Sequence, residues 1–179
     1  YPSPLNLVPA AQEQVAVVSS LSKTYAMTGW RLGYTIASEA LVAAMTKIQE
    51  HSTSNPCSIS QKAAVEALSG KQDTVRAMVE EYRRRRDYFA RRADEIGAIT
   101  YALPDGAFYF FADFSQYIQR KKFRDDNQLA MDILEKLNII LVPGSAFGAP
   151  NHLRISYATS MQDIQEGLGK LEAYLHHES

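Results

Sequence analysis

Cysteine is nearly absent from this chain, with Cys57 the one thiol in 179 residues. A lone cysteine excludes an internal disulfide framework and suits a reducing compartment, so a cytoplasmic setting is expected. An excess of one charge is missing too. Lys and Arg number 19 against 20 Asp and Glu. That balance does not draw the chain toward nucleic acid or an anionic membrane, and neither is expected as a partner. No apolar run is long enough to span a bilayer, and no signal-peptide pattern opens the sequence. There is no repeat, no low-complexity segment and no expectation of a metal site. An initiator methionine is also absent. The chain opens at Tyr1 in "YPSPLNLVPAAQ", three prolines without helical or strand period, which reads as a loop. The chain is therefore expected to be a piece of something longer.

What is present has the balance of a soluble globular protein, 46% apolar and 22% charged, at a length that can bury a core. "VAVVS" (15–19) and "LGYTIA" (32–37) read as strands. Ser38 is a plausible N-cap for a helix with Leu41, Met45 and Ile48 on one face. "HSTSNPCS" (51–58) breaks that helix, and 58–68 forms another, closed by Ser69-Gly70. Residues 72–96 carry the clearest helical period. Val75, Met78, Val79, Tyr82, Phe89, Ala93 and Ile96 fall on one stripe, and Gly97 supplies the stop. The run Arg83 to Arg86 lies inside it. Glu80 and Glu81 four residues before Arg84 and Arg85, and Asp87 four before Arg91, predict a solvated, neutralised helix face. After Gly97, "AITYAL", "AFYFFADF", "NIILVPG" and "HLRISYA" predict short strands, with helices at 126–137 and 160–176. The mixture predicts an α/β or α+β layer fold.

The chemistry concentrates in "VVSSLSKTYAMTGWRLGYTIA", 17–37. Lys23 stands at the exit of an apolar strand, where open α/β sheets bind ligands and where partial desolvation would make an amine nucleophilic toward aldehydes. Arg31 can reach the same crevice if the loop folds back, and arginine grips phosphate through paired hydrogen bonds. Ser20 and Ser22 add hydroxyls. Gly29 and Gly33 permit a tight backbone on either side of the arginine. Together these describe a site for a phosphorylated aldehyde.

"SLSKTYAMTGWRLGY" (20–34) resembles the cofactor-lysine segment of class I/II aminotransferases, the fold-type I pyridoxal-phosphate enzymes. The resemblance implies an α/β fold, namely the C-terminal portion of such an enzyme. Residues 1–45 would be a remnant of the large cofactor-binding domain and 46–179 the small domain. It implies pyridoxal 5'-phosphate as cofactor, held as a Schiff base by the catalytic Lys23, with Ser20 and Arg31 on the phosphate. "NHLRISYA" (151–158) resembles the segment whose arginine clamps the substrate α-carboxylate, which assigns Arg154; taken alone, Arg154 reads as a strand arginine in a surface ion pair. "PDGAFYFFADF" (104–114) resembles the strand lining the small-domain side of the site, with Phe108 as contributor. "LVPGSAFG" (141–148) resembles the loop before the clamp strand. "STSNPCSISQKAA" (52–64) receives no role, and Cys57 is expected to be a packing residue. The implied reaction is amino transfer between an amino acid and a 2-oxo acid, in a homodimer. The aspartate on the pyridine nitrogen belongs upstream in the family, so this piece alone is expected to be inactive. A lyase, a decarboxylating synthase or a racemase uses the same lysine, and a non-catalytic effector domain of a regulator can share the fold.

Overall fold

The computed structural model describes residues 13–177. The chain forms two compact units, Tyr1–Ala77 and Met78–Ser179. In the first, β1 (Val17–Ser20) leads into a single helical turn, α1 (Leu21–Thr24), then a 3-10 turn at Thr28–Trp30 and β2 (Gly33–Ile36). The strands pair antiparallel, Val17 opposite Ile36 and Ser20 opposite Gly33. β-branched Val17, Val18, Thr35 and Ile36 suit this extended pairing. Two helices follow, α2 (Glu39–Ser52) and α3 (Ser58–Ser69), the latter closed at Gly70 as expected. Leu21, Met27 and Leu32, from the segment between the strands, bury against Ala64 of α3. The expected apolar face of α2 is real but uncovered. Leu41, Met45 and Ile48 are exposed, and so are Val18 and Ile36 on the hairpin.

α4 (Asp73–Ile96) runs from the first unit into the second. Its predicted stripe is buried only over its later turns, at Phe89, Ala93 and Ile96, and Gly97 ends it with φ +65°. The arginine run is neutralised by neighbouring acids, though of the expected pairs only Glu81–Arg85 forms. Arg83 pairs with Glu80, Arg84 and Arg85 with Glu81, but Arg86 takes Asp87 in place of Arg91.

The second unit is built on a sheet ordered β3-β4-β6-β5, antiparallel throughout. Its strands are β3 (Thr100–Tyr101), β4 (Tyr109–Asp113), β5 (Val142–Pro143) and β6 (His152–Ser156). The later turns of α4 cover it together with three further helices, α5 (Ser115–Lys121), α6 (Asp126–Leu137) and α7 (Met161–His176). Alternation along β4 and β6 turns Phe110, Ala112, Leu153 and Ile155 into the core. There Phe110 stacks on Phe89 at 4.1 Å, and Leu129, Ile133, Leu168, Leu171 and Leu175 close the layer. Each such side chain contributes about 1.5–3 kcal/mol on burial. A capping box of Ser160 and Asp163 starts α7 where the sequence places it. "NIILVPG" yields only a two-residue strand. Asn138 is spent as the left-handed C-cap of α6, and Pro143 has no N–H to extend the ladder.

Candidate active site

The lysine segment is shaped by its own hairpin. Ser20 ends β1 and caps α1, its Oγ accepting the Ser22 amide at 3.0 Å and lying 2.9 Å from the Ser22 hydroxyl. Lys23 follows in the last turn of α1 and is exposed within this unit. The return strand brings Arg31 to the same end of the hairpin. Leu21 N–H donates to the Leu32 carbonyl at 3.3 Å, one residue beyond Arg31. Arg31 itself takes the left-handed conformation, φ 52°, and its Nη1 donates to the Thr28 carbonyl at 3.0 Å. A non-glycine residue there costs about 1 kcal/mol, held by the surrounding turn. Gly33 is required by space, since a Cβ would stand 2.7 Å from the Ser19 carbonyl oxygen, whereas Gly29 has nothing within 4 Å. The expectation of two tight glycines therefore holds at one of them.

In the second unit Arg154 projects from the middle of β6, opposite Phe111 on β4 and Val142 on β5. Its guanidinium lies over the Tyr109 ring at 4.4 Å and the Phe147 ring at 4.7 Å. No carboxylate among the described residues pairs with it. Stacking holds a guanidinium by its face and leaves the fork of N–H donors for an anion in its plane.

The loop that supplies Phe147 is itself fastened. Asp126, at the start of α6, is 1% exposed and its Oδ2 accepts the Ser145 N–H at 2.7 Å. Asn127 adds a bond to the Ser145 hydroxyl at 3.1 Å. Gly144 leaves the loop no room for a side chain, because a Cβ would sit 2.4 Å from the Ala149 carbonyl. Sequence reasoning did not find Asp126 or Tyr109. The period-two alternation of β4, which puts Tyr109 and Phe111 on the Arg154 face, was the available signal for Tyr109. A buried aspartate gives no such sign. Phe108 is half-buried beside Tyr82 and packs on the core, its carbonyl accepting the Tyr157 N–H at 3.0 Å. Cys57 is exposed just before α3, not packed as expected.

The sequence pattern of aminotransferase class I and II matches residues 4–171. The chain belongs to that family. It is 41% identical over 165 residues to a probable aspartate/prephenate aminotransferase of Rickettsia prowazekii, covering 89% of this chain and 41% of the relative. The aspartate/prephenate aminotransferase of Nitrosomonas europaea is 41% identical over 177 residues, 96% of this chain and 45% of its own. Among solved structures, the aspartate aminotransferase of Rhizobium meliloti superposes with a TM-score of 0.92 at 36% identity, covering 100% of this chain and 46% of that one. The Thermotoga maritima aspartate aminotransferase gives 0.82 at 34%, covering 92% and 41%. The fold is thus that of the fold-type I aminotransferases, as the lysine segment implied, and pyridoxal phosphate is the cofactor expected of the family. The chain spans less than half the length of these relatives. No helix among the described residues is long and apolar enough to cross a membrane.

Proposed function

We propose that the full-length protein is a pyridoxal-phosphate-dependent aminotransferase moving an amino group between an amino acid and a 2-oxo acid. The observation that carries this reading is the hairpin end where Ser20, Lys23 and Arg31 collect. Its donor set fits the cofactor. A primary amine suits the aldehyde, and a guanidinium with a hydroxyl suits the phosphate. Residues 1–45 are assigned to the large domain and 46–179 to the small one, in a homodimer working in the cytoplasm. The named aspartate aminotransferases among the relatives support transfer over elimination or a regulatory role, and make aspartate the first donor to test.

In this reading Lys23 is the covalent attachment point, and Ser20 and Arg31 hold the phosphate. Pyridoxal phosphate, when bound, supplies the electron sink for the pair left behind as the substrate α-proton departs. Lys23 Nζ takes that proton and later returns it. Arg154 grips the α-carboxylate in the plane of its guanidinium and so orients the bond to be broken. Phe108 bounds the substrate on the small-domain side.

Borohydride reduction of the protein mixed with pyridoxal phosphate, followed by peptide mapping, tests the assignment. A single modified peptide containing Lys23 is expected. Modification spread over surface lysines in the full-length protein would remove it.

A further inference from the structure

In the second unit a cavity of about 820 Å³ opens between α5, α6 and α7, away from the face that carries Arg154. Among the described residues, Arg120, Lys121, Lys122, Lys136 and Lys170 line it, against one acid, Asp132. In a chain whose formal net charge is −1, that is a strong local concentration of one sign.

Part of this charge has structural work. Arg120 donates to the Leu175 carbonyl at 3.3 Å and Lys121 to the His177 carbonyl at 2.8 Å, satisfying the negative end of α7. Lys136 pairs with Asp132 at 2.9 Å, and Asp132 also accepts the Tyr174 hydroxyl. Two cations remain. Neither Lys122 nor Lys170 forms an ion pair or side-chain hydrogen bond among the described residues, and both are exposed at the cavity. Lys122 stands at the C-cap of α5 with φ 58°, a conformation in which glycine or asparagine is cheap and lysine is not.

The available donors decide the ligand class. The guanidinium of Arg120 is turned to a backbone carbonyl and the Tyr117 ring, so no planar fork stands open for a lone carboxylate. Ammonium groups on flexible stems act as point charges and suit phosphate oxygens. Several of them around one cavity suit a ligand with several charges in a row. The volume lies within the range of small-molecule sites. Half-buried Phe123 and Tyr174 add aromatic surface to the same wall.

We propose that the cavity between α5, α6 and α7 binds a polyphosphate-bearing small molecule through Lys122 and Lys170. The source is either an inorganic polyphosphate or a nucleoside polyphosphate, and the site is independent of the aminotransferase reading.

The test is calorimetric titration of the full-length, pyridoxal-phosphate-loaded protein with sodium tripolyphosphate and with ATP, at about 0.15 M ionic strength. Loading the cofactor first keeps its own phosphate-binding residues engaged. Saturable binding is expected, weakened roughly tenfold or more in K122E/K170E. Circular dichroism checks the fold of that variant. If it does not fold, K122Q and K170Q singly give the same reading without added repulsion. ATP binding more tightly than tripolyphosphate would place a base against Phe123 and Tyr174. Equal binding would make the phosphate chain sufficient. No saturable binding of either anion, or unchanged affinity in the lysine variants, would overturn the proposal.

Discussion

The guanidinium of Arg154 lies 4.4 Å from the centre of the Tyr109 ring, and a second ring, Phe147, meets it at 4.7 Å. An arginine held by its faces keeps its donor edge presented before any ligand arrives, which lowers the entropic cost of gripping a carboxylate. On the proposed assignment, R154K loses the planar fork and should raise KM for the amino-acid donor by roughly tenfold or more. Y109L removes one stacking contact, about 1 kcal/mol, and should raise it about fivefold. Steady-state kinetics of the full-length enzyme with saturating 2-oxo acid would check both. An unchanged KM in R154K would remove the arginine from substrate binding.

Asp126 acts on the same arginine from a distance, through the loop it fastens. Its buried carboxylate accepts the Ser145 amide at 2.7 Å, two residues before Phe147. D126A leaves that amide unsatisfied and should cost about 1.5–3 kcal/mol of stability. D126N keeps an acceptor oxygen and should cost less. Urea denaturation of the two variants orders them. Equal losses would mean that the bond to Ser145 is not what holds the loop.

The two glycines of the lysine segment should respond differently to one added methyl group. In G33A the new Cβ must displace the Ser19 carbonyl, which lies 2.7 Å away across the β1–β2 pair. A cost of about 1–3 kcal/mol is expected, with looser positioning of Ser20. G29A meets open space and should leave the melting temperature within about 2 °C of the parent. A thermal melt of each decides it, and a tolerated G33A would contradict the hairpin register.

Acid should unfold the second unit through a small set of carboxylates. Burial pushes the Asp132 carboxyl up, but hydrogen bonds from Tyr174 and Lys136 outweigh it and hold the group below its ordinary value. Asp113 behaves alike, with burial outweighed by the Ser115 hydroxyl and amide. Each carboxyl therefore binds its proton less readily in the folded state than in the unfolded chain. The stability they contribute is complete above the unfolded value, about 3.9, and is lost as pH falls through the lower folded values. Urea midpoints measured downward from about pH 5 should fall, and D132N should fall less steeply over the same window. A D132N profile parallel to the parent would remove Asp132 from the acid response.

Local pattern was enough where a property depends on neighbours along the chain. The stripe and stop of α4, the neutralised arginine run, the span of α7 and the alternation of β4 all follow from spacing, because helix and strand periods are fixed by backbone geometry. The lysine segment was legible for the same reason, since its residues stand within twelve positions of one another and fold as one hairpin.

Partners distant in sequence were not legible. The carboxylate of Asp126 reaches an amide nineteen residues on, and the Tyr109 ring reaches a guanidinium forty-five residues on. Burial of Asp126 depends on what α6 packs against, and strand order β3-β4-β6-β5 decides which ring meets Arg154. By itself the sequence determined the family and most of the elements. Only the tertiary structure decided how Arg154 is held, which acid fastens its loop, and that five cations converge on one cavity, because those relationships are made by packing across elements and leave no period along the chain.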